Sequence, residues 1–97
     1  MKKHISLLLV LVLAISLLAG CSADKGMTLE KGKLIMSTNA AFPPYEMTDD
    51  NGSFIGIDVE VAQAIAKELN LELVIDNMGF TAALEAAQNG KSDMVMA

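Results

Sequence analysis

The chain has no arginine and no tryptophan among its 97 residues, and it has only one cysteine and one histidine. Seven lysines against twelve acidic residues give a net charge of −5 without a basic patch, which excludes the electrostatic surface that nucleic-acid binding requires. A single cysteine cannot form a disulfide within the chain. His4 precedes a long apolar run, so the rest of the chain lacks the usual general base and the commonest metal ligand. We therefore expect no metal, no cofactor, no catalytic residue and no nucleic-acid partner.

Residues 1–20 have the composition of a lipoprotein signal peptide. Two lysines supply a positive start, and an apolar stretch follows over residues 5–19. This stretch is shorter than the roughly 20 apolar residues that span a bilayer, but it suits the apolar region of a signal peptide. It ends in a segment that resembles the lipobox of bacterial lipoproteins, Leu18-Ala19-Gly20-Cys21. We expect cleavage before Cys21 and lipidation of its sulfur; the alternative is a signal-anchor helix with a buried thiol.

The rest of the chain alternates strand-like and helix-like segments. Residues 21–32 are polar and without periodicity, which predicts a tether. The patterns that follow predict a buried strand at 33–38, a hairpin at 46–54, a helix at 58–69, a strand at 71–76, a helix at 81–89 and a strand from 93. Strands joined by helices in this order favour an α/β fold with a parallel sheet and right-handed crossovers.

Individual residues predict how these elements begin, end and pack. Asp58 and Thr81 are expected to cap the two helices, and Asn70 and Gly90 to end them. Asn51-Gly52 suits a two-residue hairpin turn. The first helix is expected to bury an apolar face formed by Val61, Ile65 and Leu69, with Ala62 and Ala66 beside them.

Three segments resemble the polar amino-acid-binding family of extracellular solute-binding proteins, which serve ABC importers. They are Asn39 to Tyr45 (NAAFPPY), Gly52 to Ala66 (GSFIGIDVEVAQAIA), and Phe80 with Leu84 followed by Gly90 to Asp93 (GKSD). The resemblance runs from about residue 33 to 97 and implies a periplasmic-binding-protein-like fold of type II. Because the family's proteins are much longer and have two lobes, we expect residues 33–97 to be a truncated, N-terminal part of lobe 1.

The resemblance also implies which residues contact a ligand. Its ligand-contacting positions fall on Asn39, Phe42, Phe80 and Ala97, whereas the arginine and aspartate that hold the ligand's carboxylate and ammonium lie outside this chain. From the sequence alone, the more common roles would be core packing for the two phenylalanines and a turn at the end of a strand for Asn39.

Charge decides which ligand these positions would favour. Glu46, Asp49 and Asp50 are expected to form a solvated turn. Asn39 is uncharged, so we expect neutral polar amino acids to be preferred over lysine or arginine unless another carboxylate compensates.

The resemblance implies a lipid-anchored receptor that captures a polar amino acid and presents it to the permease subunits of an ABC importer. It would act without catalysis, as a monomer, in the periplasm or at the outer face of the cell membrane. Two alternatives use the same fold, a dehydratase acting on a prephenate-like acid and a sensor lobe. The lack of a histidine or a convergent carboxylate pair near Phe42 and Phe80 disfavours the enzyme, and the lipobox at Cys21 disfavours a membrane-spanning sensor.

The lipobox generates the first prediction. Cys21→Ala should abolish labelling by radioactive palmitate and release the protein from the membrane, because several acyl chains, at about 0.8 kcal/mol per buried CH₂, hold such a protein in place. Ser6→Ala, a change within the apolar stretch, is the control and should leave labelling intact. Equal labelling and retention of the Cys21→Ala protein would contradict lipid anchoring.

Overall fold

The structure, a computed structural model, describes the backbone of residues 1–21 and 26–97 and the side chains of residues 1–12 and 26–97. Within these residues the elements are α1 (Lys2–Cys21), β1 (Lys33–Thr38), β2 (Met47–Thr48), β3 (Phe54–Ile55), α2 (Ile57–Glu68), β4 (Glu72–Asn77), α3 (Phe80–Gln88) and β5 (Met94–Val95). The predicted element order after the tether is confirmed. Residues 22–25 of the predicted tether and the side chain of Cys21 lie outside the described part.

None of the helices in the described residues is long and apolar enough to cross a membrane.

β1 is the central strand of a three-stranded parallel sheet. It pairs with β4 along its whole length, from Lys33 opposite Glu72 to Thr38 opposite Asn77. On its other edge it pairs with β5, where Ser37 lies opposite Val95. The parallel α/β fold expected from the sequence is therefore confirmed.

The core is built from β1 and from small residues of the two helices that follow it. Met36 of β1 is fully buried, while the hydroxyl of Ser37, which points to the opposite face, donates to the carbonyl oxygen of Ala83 in α3 at 2.8 Å. The other buried apolar residues are Leu34, Val59, Ala62, Ala66, Ala83 and Ala86. Alanines at these positions let the helix backbones lie close to the sheet.

The buried face of α2 agrees only in part with the predicted one. Ala62 and Ala66 are buried as expected, but Val61, Ile65 and Leu69 are exposed, and Val59 is buried as well. Val59, Ala62 and Ala66 and the three exposed residues both have helical spacing, so periodicity alone does not separate the two sets.

The predicted caps of the two helices are wrong, because each helix begins one residue earlier than expected. Gly56 and Gly79 occupy the cap positions, and neither helix start has a side-chain cap. The first N–H groups of α2, those of Ile57 and Asp58, donate to the carbonyl oxygens of Pro44 and Tyr45 at 3.0 and 2.9 Å. A backbone turn thus caps α2.

The predicted helix ends are confirmed. Asn70 and Gly90 both have positive φ, at 57° and 72°, immediately after their helices. Beyond them, the N–H groups of Leu71 and Lys91 donate to the carbonyl oxygens of Ala66 and Ala86, each at 2.8 Å. These bonds form the Schellman arrangement, which satisfies carbonyl groups that a helix end otherwise leaves unpaired.

The hairpin between β2 and β3 is confirmed, but its turn is not the two-residue turn expected. Only Gly52 of the pair Asn51-Gly52 has positive φ, at 79°. The Asp49 carboxylate accepts hydrogen bonds from the N–H groups of Asn51 and Ser53, both at 2.9 Å. This side-chain contact stabilises a longer turn.

Asp93 links the start of β5 to the start of β1. Its carboxylate accepts hydrogen bonds from the N–H groups of Leu29 and Ile35 at 2.8 and 2.7 Å, and its own N–H donates to the Ile35 carbonyl oxygen at 2.8 Å. The end of the predicted tether is therefore held against the sheet.

Gly56 generates the second prediction. Its φ of 127° and ψ of 174° lie in a region that only glycine adopts readily, and an added Cβ would overlap the Tyr45 carbonyl group. Gly56→Ala should lower the free energy of unfolding by about 3 kcal/mol or more, measured by urea denaturation of the mature protein, the chain from Cys21 to the end of its reading frame.

Gly52→Ala is the matched control, since Gly52 also has positive φ but has open space around its Cα. Its cost should be about 1 kcal/mol. Equal costs for the two variants would show that the contact with Tyr45 does not constrain the turn.

Candidate functional site

The carboxyl ends of the three parallel strands meet at one cavity of about 230 Å³. Asn39 directly follows β1, Phe80 follows β4 after a two-residue connection, and Ala97 follows β5. These residues line the cavity together with Ala41, Phe42 and Glu46. All four residues expected to contact a ligand therefore lie around one space, where ligands of open α/β sheets bind. Their role in binding stays a prediction.

The two phenylalanine rings are not core residues in the described chain. Phe42 is 58% exposed and Phe80 is 52% exposed. The Phe42 ring stacks on Tyr45, with ring centroids 5.3 Å apart and an angle of 18° between the planes. The cavity thus has two apolar, largely open walls.

A tight turn from Phe42 to Glu46 holds one of these walls in place. The N–H of Phe42 donates to the Glu46 carbonyl oxygen at 2.9 Å, and the N–H of Glu46 donates back to the Phe42 carbonyl oxygen at 3.1 Å. The peptide bond between Pro43 and Pro44 within the turn is cis. Since Pro44 and Tyr45 also cap α2, the position of the Phe42 ring is tied to that of the helix.

Asn39 is half-buried at the end of β1. The next residue, Ala40, donates its N–H to the side-chain oxygen of Asn77 at 2.9 Å, which links the ends of β1 and β4. Asn77 was not among the residues singled out from the sequence, where it reads as an ordinary connection residue. Its role is to hold the strand ends together rather than to line the cavity.

Glu46 is the main correction to the sequence prediction. Asp49 and Asp50 lie in the hairpin turn as expected, but Glu46 is fully buried, with 0% exposure, and lines the cavity. No N–H or hydroxyl group of the described residues donates a hydrogen bond to its carboxyl oxygens. The neighbour with which the protonated carboxyl group can share a hydrogen bond is the Asp58 side chain. The pairing of Glu46 with Phe42 turns its side chain inward, away from the turn. A single glutamate after Pro-Pro-Tyr gives no signal in the sequence that its side chain is buried.

Burial, a side-chain hydrogen bond with Asp58 and the charge of Asp58, in this order of size, raise the pKa of Glu46 from 4.5 to about 7. Asp58 stands in the first turn of α2. A charged Glu46 would be both poorly solvated and repelled by Asp58. The cavity therefore contains an acid that is close to half ionised at neutral pH.

The described residues contain no group of three or more His, Cys, Asp or Glu side chains placed to hold a metal ion.

The chain matches the profile of the bacterial extracellular solute-binding proteins, family 3, over residues 34–97. It is 33% identical over 96 residues to the arginine-binding extracellular protein ArtP of Bacillus subtilis, covering 99% of this chain and 37% of that one. It is 30% identical over 92 residues to the L-cystine-binding protein TcyJ of Escherichia coli, covering 88% of this chain and 35% of that one. The chain thus spans little more than a third of these curated relatives.

Solved structures share the fold. The arginine-bound domain 1 of TmArgBP superposes with a TM-score of 0.62 at 37% identity, covering 64% of this chain and 49% of that one. The ancestral amino acid-binding protein AncCDT-1, described as a precursor of cyclohexadienyl dehydratase, gives a TM-score of 0.63 at 35% identity, over 68% of this chain and 29% of that one. The described sheet is that of a periplasmic amino-acid-binding protein.

The buried acid generates the third prediction. The folded protein holds the Glu46 proton more tightly than the unfolded chain, so stability should be highest below about pH 4.5 and fall until about pH 7. Glu46→Gln should lack this fall. Relative to the parent it should gain on the order of 3 kcal/mol between these pH values, measured by urea denaturation of the ligand-free mature protein.

Glu60→Gln, which removes an exposed carboxylate of α2, is the control for the loss of one charge. Its free energy of unfolding should follow the parent at each pH. Parallel curves for the parent and Glu46→Gln would mean that Glu46 is not buried in solution.

Proposed function

Because the chain belongs to the bacterial extracellular solute-binding proteins of family 3, we propose that it forms part of a receptor that captures a polar amino acid outside the cytoplasm. The observation that carries this proposal is the convergence of Asn39, Phe42, Phe80 and Ala97 on one cavity at the carboxyl ends of the strands. The cavity is smaller than the roughly 300–1,000 Å³ of a typical ligand pocket. It therefore fits the side-chain part of a site better than a whole site.

The cavity residues suit an amino-acid side chain. The Phe42 and Phe80 rings offer exposed apolar surface, and Asn39 offers an amide that both donates and accepts hydrogen bonds. Ala97 offers its backbone at the third strand end. An aliphatic or planar ligand stem between the two rings would exchange exposed aromatic surface for contact with the ligand.

The whole receptor would be larger than the described part. Residues 33–97 would form the N-terminal part of lobe 1, residues 1–20 the signal peptide and residues 21–32 the tether. The six described residues that line the cavity include no lysine or arginine, so the ligand's carboxylate would be held by residues outside this chain. The same applies to its ammonium group.

We further propose that the receptor acts as a monomer, anchored through a lipid on Cys21, and delivers its ligand to the permease subunits of an ABC importer. Family membership supports an extracytoplasmic location. The names of two relatives, an arginine-binding and an L-cystine-binding protein, support an amino acid as the ligand. Binding rather than catalysis is the proposed activity.

A dehydratase is the second candidate function. The likeness to AncCDT-1, described as a precursor of such an enzyme, supports it. So does Glu46, since a buried acid with a pKa of about 7 in the cavity could donate a proton at neutral pH. Consumption of prephenate by the mature protein, followed by absorbance, would favour this candidate over a binding protein.

Phe80 generates the fourth prediction, which tests the proposed site. Phe80→Ala should weaken binding of the preferred amino acid by about 5- to 150-fold through lost aromatic contact, measured by calorimetric titration of the mature protein against a panel of amino acids. Its free energy of unfolding should fall by less than the roughly 3–5 kcal/mol typical of a core Phe→Ala change, because the ring is half exposed.

Leu84→Ala is the matched control, since Leu84 is a similarly exposed apolar residue of α3 that does not line the cavity. Its affinity should equal that of the parent. If Phe80→Ala lost stability but kept the affinity of the parent, Phe80 would be a core residue. The proposed site would then lack one of its two aromatic residues.

A further inference from the structure

The chain segment that leads from Cys21 joins the sheet at the end opposite the cavity. The N–H of Leu29 donates to one carboxylate oxygen of Asp93 at 2.8 Å, and the other oxygen accepts the N–H of Ile35 in β1 at 2.7 Å. Asp93 thus fixes this segment beside the amino ends of β1 and β5, here called the anchor end. The cavity lies at the carboxyl ends of the same strands, here called the cavity end.

All four lysines of the described residues after α1 lie at the anchor end. Lys31 and Lys33 stand at the start of β1, Lys67 is in the last turn of α2, and Lys91 lies just beyond the end of α3. A helix that connects parallel strands runs back along the sheet, so both helix ends lie beside the amino ends of the strands. Except for Lys33, which is half-buried, these lysines are exposed.

Exposed apolar side chains accompany these lysines. Met27 and Leu29 are 80% and 53% exposed, and Leu69, which directly follows α2, is 43% exposed. Apolar side chains beside lysines are typical of segments that lie in the interface of a bilayer, where the apolar groups enter the headgroup region and the lysines meet anionic headgroups.

Charge is unevenly distributed between the two ends. At the anchor end Glu30 pairs with Lys33 at 3.3 Å, while Glu68 and Glu72 offset part of the charge of the other lysines. The cavity end has no lysine among the described residues. Its acids outside the cavity are Asp49, Asp50, Asp58, Glu60 and Asp76. An anionic surface therefore repels the cavity end more strongly than the anchor end.

We propose that the anchor end lies on an anionic phospholipid bilayer, so that the cavity opens away from the membrane, toward the solution that contains the ligand. The residues that contact the bilayer, here called the anchor face, are Met27, Leu29, Lys31, Lys67, Leu69 and Lys91.

This inference rests on the proposed lipid anchor, because the anchor face alone is too small to hold an acidic protein on a membrane. Leu29 follows Cys21 by eight residues, which span at most about 29 Å when fully extended. An anchored Cys21 thus keeps the anchor face close to the lipid surface, and the charges decide which end of the lobe meets it.

Coupling of the Cys21 thiol of the mature protein to a maleimide lipid in vesicles supplies the anchor whether or not a cell lipidates this residue. Acetylation of each lysine by the neutral reagent N-acetoxysuccinimide, followed by mass spectrometry, reports its contact with the bilayer. On vesicles with about 30% phosphatidylglycerol, Lys31, Lys67 and Lys91 should react about 5-fold or more slowly than on pure phosphatidylcholine, and about 0.5 M salt should remove most of this difference.

Asn51→Lys is the matched control, because Asn51 is exposed in the hairpin of the cavity end. The introduced side chain should react at the same rate on both kinds of vesicle. The double variant Lys67→Gln with Lys91→Gln should bring the reaction of Lys31 on anionic vesicles to within about 2-fold of its rate on phosphatidylcholine.

Equal rates for Lys31, Lys67 and Lys91 on the two kinds of vesicle, or equal slowing of the side chain introduced at Asn51, would overturn the inference. So would slow reaction of the three lysines in the uncoupled protein, since a second copy or another part of the receptor would then cover the anchor face. The parent protein decides even where a variant does not fold. Because palmitate labelling tests the anchor and titration tests amino-acid binding, failure of the proposed function is distinguishable from failure of this orientation.

Discussion

The parallel pairing of β1 with a strand on each of its edges is the constraint on which the rest of the structure depends. Because β4 and β5 run in the same direction as β1, the carboxyl ends of all three strands lie at one edge of the sheet. The residues that follow those ends, Asn39, Phe80 and Ala97, are far apart in the sequence and meet only through this pairing. The cavity is thus a consequence of topology.

The second constraint is the turn from Phe42 to Glu46, which serves the fold and the cavity at once. Its carbonyl groups cap α2, which is possible because Gly56 lets the helix backbone approach Tyr45 closely. Its other side presents the Phe42 ring and the Glu46 carboxyl group to the cavity. The helix therefore stabilises a turn that holds a buried acid next to Asp58, a group that would otherwise favour an open, solvated conformation.

Local sequence signals predicted much of this fold. The strand from Lys33 to Thr38, the helix ends at Asn70 and Gly90 and the hairpin before α2 all follow from short-range patterns, and the structure contains them. The helix starts could not be predicted from these patterns, because α2 is capped by backbone carbonyl groups of the turn at Pro44 and Tyr45 rather than by a side chain.

Features that depend on tertiary packing could not be predicted from the sequence. α2 carries two sets of apolar residues with helical spacing, and only the packing of the helix against the sheet shows that Val59, Ala62 and Ala66 are buried while Val61, Ile65 and Leu69 are exposed. Glu46 reads as part of an acidic turn, because the hydrogen bonds to Phe42 that turn it inward leave no trace in composition or periodicity. The resemblance to a family predicted that the strand-end residues share one site. Only the structure shows that the buried Glu46 lies among them.

A crystal structure of the mature protein with its bound amino acid is the most direct test of the central claim, that the edge where the three strands end holds the ligand's side chain. We predict that the side chain lies between the rings of Phe42 and Phe80, with its polar end within hydrogen-bond distance of the Asn39 side-chain amide. A ligand whose side chain lies away from these three residues would contradict it.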